Sequence, residues 1–213
     1  MTEKRACSIK TAVDWQFNLG ATLLGHGTVR FRVWAPRVQA VSVVLPHRGG
    51  NPVPLAAEGN GYFSGIAMGI GEGERYLYLL DGETALPDPA SRFQPEGVHG
   101  PSQVVVVNRS IWSDSGWTGI PLSDYIVYEL HVGTFTPSGT FDGVITRLDY
   151  LCDLGITAVE LMPVAQFPGE RNWGYDGVYP FAPQNSYGGS DGLQRLVDAC
   201  HSRGLAVILD VVY

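Results

Sequence analysis

The chain has 213 residues, of which 45% are hydrophobic and 16% charged, with a formal net charge of -7. That composition describes a globular chain able to bury a sizeable core and excludes a disordered one. The acidic balance gives no footprint for nucleic acid or an anionic membrane, and no run approaches the ~20 apolar residues of a membrane span.

The first residues, Met1-Thr2-Glu3-Lys4-Arg5-Ala6-Cys7, hold no apolar core of the signal-peptide kind. Cys7, Cys152 and Cys200 cannot all pair, and they lie far apart without Cys/His ligand spacing. The expectation is a cytoplasmic protein with reduced thiols, no metal and no cofactor.

Residues 19–107 carry antiparallel β signals. In Val29-Arg30-Phe31-Arg32-Val33 apolar and basic residues alternate, the period of a strand with one wet face. Residues 40–45, 62–66, 75–80 and 103–107 are further strand candidates. Between them lie turn signals at His47-Arg48-Gly49-Gly50-Asn51-Pro52, Gly59-Asn60-Gly61 and Asp81-Gly82. Short strands at this spacing predict an all-β, immunoglobulin-like sandwich over residues 14–110. Gly116, Gly119 and Pro121 mark residues 111–124 as a linker.

From residue 125 the pattern changes to alternating strands and helices. Residues 125–132 read as a strand, and Ile145, Leu148, Leu151 and Cys152 as a helix stopped by Gly155. Residues 158–163 form a second strand; Leu193, Leu196, Val197 and Cys200 repeat the helical spacing before Gly204; residues 206–209 form the third strand. This βαβαβ order predicts a parallel sheet with right-handed crossovers. A closed (β/α)8 barrel takes eight such units over roughly 250 residues, so residues 125–213 are expected to be a truncated TIM barrel, strands one to three. In the alternative, a self-contained sheet, the terminal strand sits between the other two.

The segment 165–189 follows a strand's carboxyl end and is rich in aromatics: Trp173, Tyr175, Tyr179, Phe181 and Tyr187. A loop of that length predicts function, over the active face of the barrel. Its tightest cluster is Arg171-Asn172-Trp173-Gly174-Tyr175-Asp176-Gly177. Aromatic faces beside amide and carboxylate groups suit a sugar; the plain alternative is that Trp173 and Tyr175 only pack the loop onto the rim. Asp210, straight after Val207-Ile208-Leu209, is either a carboxylate aimed at the site or the cap of a following helix. Glu129 and His131 alternate on one strand, as an acid–base pair or an interior hydrogen-bonded pair. Glu160 is expected to pair inside the barrel, and Trp34, Trp112 and Trp117 to serve packing.

These segments resemble the α-amylase superfamily of glycoside hydrolases. Asp210-Val211-Val212-Tyr213 looks like the start of its first signature region, and Gly155-Ile156-Thr157-Ala158-Val159-Glu160-Leu161-Met162-Pro163-Val164 is similar to its second barrel strand. Trp34-Ala35-Pro36 stands where the accessory, carbohydrate-binding-module-like sandwich of branching, debranching and trehalohydrolase members has that tripeptide. Within the superfamily the likeness is to the malto-oligosyltrehalose trehalohydrolases, carried by residues 87–102 and 172–189. The resemblance implies hydrolysis of the α-1,4 bond beside the terminal trehalose unit of maltooligosyltrehalose, with retention. It implies that Tyr175 stacks on the sugar ring before the cleaved bond, that Asp210 orders the centre, and that Trp173 and Asp176 line the cleft. The Asp nucleophile, Glu acid/base and assisting Asp are implied beyond Tyr213, so no catalytic carboxylate is assigned here and the chain alone is expected to be inactive. The implied partner is an α-glucan, with neither nucleic acid nor membrane. Rival readings are a fragment of a branching or debranching enzyme and a non-catalytic maltodextrin-binding protein.

Overall fold

The structure, a computed structural model, describes residues 18–106 and 112–212. The readings that fall on Cys7, Val107, residues 108–111 and Tyr213 lie outside the described residues.

The first half is two antiparallel sheets around one core. One runs β1 (Gly20–Gly25), β2 (Thr28–Trp34), β6 (Tyr62–Met68), β5 (Ala56–Gly59); the other runs β4 (Val53–Pro54), β3 (Val41–Val44), β7 (Arg75–Leu80), β8 (Thr84–Leu86), with β9 (Ser102–Gln103) also on β7. The alternation seen in the sequence decides which side chains go in. Val29, Phe31 and Val33 of β2, Val41 and Val43 of β3, and Tyr76 and Tyr78 of β7 share one buried cluster, while the residues between them face out. Phe31 meets Tyr76 edge-on at 4.9 Å. The β5–β6 turn has Asn60 at φ 52° and Gly61 at φ 79°, the positive pair that suits a twisted hairpin. A Cβ at Gly61 would also stand 2.7 Å from Pro36. Residues 103–107 were expected as a strand; pairing is confined to Ser102–Gln103, and Val104 instead bonds the Glu74 carbonyl and packs in the core.

Residues 87–103 form a buried polar knot that ties this sandwich to the second half. Asp88 is fully buried; its carboxylate accepts from Tyr76 Oη at 2.6 Å and from the Ala90 amide at 2.8 Å. Arg92 donates to the carbonyls of Ala21 and Leu19. Across to the second half, Ser190 Oγ donates to the Arg92 carbonyl at 2.6 Å, Asn185 to Pro95, and Tyr179 Oη to Val98 at 2.8 Å.

Burial raises the Asp88 carboxyl to about 6 from 3.8, against hydrogen bonds from Tyr76 and Ala90 and the charge of Arg92. A carboxyl raised by folding favours the native state below its unfolded pKa, and that contribution is lost as pH climbs through the folded value. The two-unit gap corresponds to about 3 kcal/mol. Relative to Asp88→Asn, the natural chain therefore loses melting temperature between pH 4 and pH 6.5. Parallel pH dependences of the two proteins in calorimetry would refute this.

The second half is a parallel sheet, β10 (Val127–Leu130), β11 (Ala158–Leu161) and β14 (Ala206–Leu209), in that spatial order. The last described strand lies at the edge and not between the other two. Glu129 faces Glu160 across the ladder, and Glu160 faces Ile208. Leu130, Val159 and Leu161 pack on Phe141, Val144, Leu148, Leu151 and Leu196. The first crossover is three short helices: α1 (Val132–Phe135), α2 (Phe141–Ile145) and α3 (Leu148–Asp153). Thr140 caps α2 by accepting from the Gly143 amide at 3.0 Å, and Thr146 Oγ1 bonds back to the Gly143 carbonyl, which breaks the helix that the spacing had made continuous. The second crossover ends in α4 (Gly189–His201), stopped at Gly204.

The strand expected over 125–132 is only Val127–Leu130, because His131 already sits at the cap of α1. The connection 165–189, expected without structure, holds a short hairpin, β12 (Ala165–Gln166) with β13 (Tyr179–Pro183), and a 3-10 turn, Asn185–Tyr187. The described part of the expected linker lies along α4. Trp117 stacks on His201 at 4.5 Å, Asp114 meets His201 Nδ1 at 2.6 Å, and Ser113 donates twice to Asp198. Cys152 and Cys200 are free, and burial pushes the Cys200 thiol up to about 12.

Candidate active site

The carboxyl ends of β10, β11 and β14 carry His131, Pro163 and Asp210, and the 165–189 connection rises from the middle of these. Two fully buried glutamines anchor it. Gln184 accepts from the Phe167 amide at 3.0 Å and donates to the Gly169 carbonyl, and Gln166 accepts from the Asn185 amide at 2.9 Å. Each satisfies main-chain groups that the two-residue ladder leaves over.

The turn above them is closed by Asn172. Its Oδ1 accepts from the Gly174 amide at 2.7 Å and its Nδ2 donates to Asp176 Oδ2 at 2.7 Å. Gly174 sits at φ 101° with its Cα pressed on Pro163, leaving no room for a side chain. That contact turns Tyr175 toward the third strand. Its hydroxyl donates to Asp210 Oδ2 at 3.5 Å, and its ring stays half exposed. Asp210 continues the ladder through its own amide to the Leu161 carbonyl, so the carboxylate is aimed from a fixed backbone. Desolvation, then the charges of Asp210 and Glu129, the hydrogen bond to Asp210 and the charge of Glu160 hold the Tyr175 phenol above its usual range. Three carboxylates thus lie around one phenol.

Of the four residues singled out in the sequence, Tyr175 and Asp210 come together. Asp176 is engaged by Asn172, and Trp173 turns the other way, its ring 5.0 Å from that of His131. The expected Glu129–His131 pair is absent. His131 lies past the end of the strand, with Nε2 2.7 Å from the Asn172 carbonyl and 3.1 Å from Tyr187 Oη, and Nδ1 3.1 Å from Thr134 Oγ1. The carbonyl only accepts, so Nε2 carries the proton. Among the described residues neither the Glu129 nor the Glu160 carboxylate has a hydrogen-bond partner, so Glu160 does not make the expected interior pair; both charges act on Tyr175. Trp34, expected to pack, has 55% of its surface exposed, with its indole donating to the Asn60 carbonyl.

Two depressions flank the turn. One, of about 200 Å³, is lined by Pro163, Gly174, Phe181, Leu209, Asp210 and Val211 among others. The other, of about 450 Å³, is lined by His131, Gly133, Thr134, Glu170, Arg171, Asn172 and Trp173. No helix among the described residues is long and apolar enough to cross a membrane.

Comparison with known proteins places these elements. The family described as "Alpha amylase, catalytic domain" matches residues 100–213, and "Carbohydrate-binding module 48 (Isoamylase N-terminal domain)" matches residues 18–95. A malto-oligosyltrehalose trehalohydrolase from Saccharolobus solfataricus is 49% identical over 190 residues, covering 89% of this chain and 33% of that protein. One from Deinococcus radiodurans is 44% identical, covering 100% of this chain and 35% of that protein. A crystal structure from Salmonella typhimurium, of a protein named as a candidate alpha amylase, superposes with a TM-score of 0.86 at 43% identity, over 92% of this chain and 33% of that one. The chain spans about a third of the length of the curated relatives it matches.

Proposed function

The chain belongs to the alpha-amylase family of glycoside hydrolases, and from that premise we propose that the longer protein carrying it hydrolyses the α-1,4 bond beside the terminal trehalose unit of maltooligosyltrehalose, with retention. The observation that carries the reading is the half-exposed Tyr175 ring beside the Asp210 carboxylate at the carboxyl ends of parallel strands. The relatives at 49% and 44% identity, both named malto-oligosyltrehalose trehalohydrolase, support this choice of bond.

In this reading residues 14–110 are an accessory sandwich, 111–124 a connection, and 125–213 the first three strands of a (β/α)8 barrel. Tyr175 stacks on the glucosyl ring that precedes the cleaved bond, its apolar face covered and its hydroxyls left to polar neighbours. Asp210 orders the centre and does no bond chemistry. Trp173 and Asp176 line the cleft, and Asp176 also holds the turn that presents Tyr175 through Asn172. The nucleophile, the acid/base and the assisting carboxylate belong to later strands. Retaining hydrolysis needs two carboxyl groups ~5–5.5 Å apart across the bond. Among residues 1–213 no such pair is assigned, so this polypeptide by itself releases no trehalose. A cytoplasmic location is part of the same proposal, supported by the free thiols of Cys152 and Cys200.

The test compares the 213-residue polypeptide and the longer protein on maltooligosyltrehalose by chromatography of the products. Trehalose from the longer protein alone supports the reading. Trehalose from the short polypeptide would overturn the placement of the carboxylates, and branched glucan from the longer protein would overturn the bond.

A further inference from the structure

Trp173 stands at a depression of its own, lined also by Glu170 and Arg171. The cavity of about 450 Å³ lies between the start of α1 and residues 170–173. Its floor must stay small, since a Cβ at Gly133 would stand 2.9 Å from His131 Cε1 and 3.0 Å from Tyr187 Oη. One wall is the Trp173 indole, 62% exposed. Its orientation is set by the His131 ring, 5.0 Å away and inclined by 60°, which is itself tied to Thr134, Asn172 and Tyr187. Glu170 and Arg171 also line the depression, both exposed, and among the described residues neither side chain has a hydrogen-bond or ion-pair partner.

We propose that this depression binds a neutral pyranose unit of an α-glucan, as a second sugar site separate from the Tyr175–Asp210 side of the turn. The chemistry of the lining selects the ligand. A flat, fixed indole face takes the apolar face of a sugar ring. A carboxylate and a guanidinium that line the same depression serve sugar hydroxyls, one accepting and the other donating in a fork. Their charges cancel, so the cavity offers no net attraction to a phosphate or a cation. The site rests on the α-glucan reading above, and its role is to hold substrate chain outside the place of cleavage.

The test reads the Trp173 indole 15N–1H signal, identified by its loss in Trp173→Phe, in the 213-residue chain or in the longer protein. Titration with maltotriose moves this signal to saturation, and inorganic phosphate leaves it in place. Arg171→Ala weakens the maltotriose response by about tenfold, the cost of one charge-assisted hydrogen bond. Glu170→Gln weakens it less, because the amide still accepts. A signal that maltotriose does not move, while soluble glucan still retards the protein in affinity electrophoresis, overturns this site and leaves the α-glucan reading standing. Loss of retardation as well overturns both.

Discussion

In the longer protein, Asp210→Asn lowers kcat/KM for trehalose release by about 100-fold or more, the scale found when one preorganised polar group is removed from a reacting centre. Asp210 is held by the hydrogen bond from its backbone amide to the Leu161 carbonyl and by Tyr175, so the amide variant keeps the shape and loses the charge. The loss therefore falls mainly on kcat. Tyr175 supplies the contrast. Tyr175→Ala removes the ring proposed to stack on the sugar and is expected to raise KM together with lowering kcat. Tyr175→Phe keeps the ring and gives up only a 3.5 Å hydrogen bond, at the long end of the range, so it costs about threefold or less. Steady-state kinetics on maltooligosyltrehalose separate these. An Asp210→Asn enzyme within a few-fold of the natural one, or Tyr175→Phe as damaging as Tyr175→Ala, contradicts the assigned roles.

Gly174→Ala is expected to be the most costly single methyl group in the chain's second half. At φ 101° any other residue is strained, and here the added Cβ would also run into the Pro163 carbonyl at the end of β11. Strain of about 1–3 kcal/mol and the displacement of packed backbone combine, for a loss of roughly 3 kcal/mol in unfolding free energy. Gly155→Ala is the control. Gly155 has φ 87° but open space around its Cβ position, so only the backbone preference is lost, about 1–2 kcal/mol. Denaturant midpoints of the two variants should be clearly apart, with Gly174→Ala the lower. Equal midpoints would mean that the turn gives way without involving β11, and that Tyr175 is not held as described.

The strands that show themselves in the sequence are those with one buried face. In β2, β3 and β7 alternate side chains enter the core, so alternation survives in the residues. β5, Ala56-Ala57-Glu58-Gly59, is an edge strand exposed throughout, and nothing in its composition records the pairing. The run at 125–132 reads too long as a strand because Val132 is apolar for a different reason, packing a helix. Apolar runs alone do not separate the two. The hairpin inside 165–189 was hidden because its strand β12 is two residues long and is fixed by buried glutamines rather than by periodicity.

The site was legible only in part for a related reason. Tyr175 and Asp210 lie 35 residues apart, and it was family likeness, not spacing, that joined them. His131 looked like a partner for Glu129 because strand periodicity put both on one face. The chain leaves the strand at His131, and its ring then bonds a main-chain carbonyl at Asn172, a contact that leaves no mark on residue identity. Trp173 and Tyr175 are near neighbours in sequence, yet Gly174 turns them to opposite sides, a consequence of one positive φ and one close approach.

This chain is proposed to carry the sugar-stacking front of a trehalose-releasing hydrolase. The most direct measurement of this is the product formed when the longer protein acts on purified maltooligosyltrehalose. The account predicts free trehalose and a maltooligosaccharide shortened by those two glucose units, in equal amounts. Glucose or maltose released from the other end, or transfer to form branches with no trehalose set free, would contradict it.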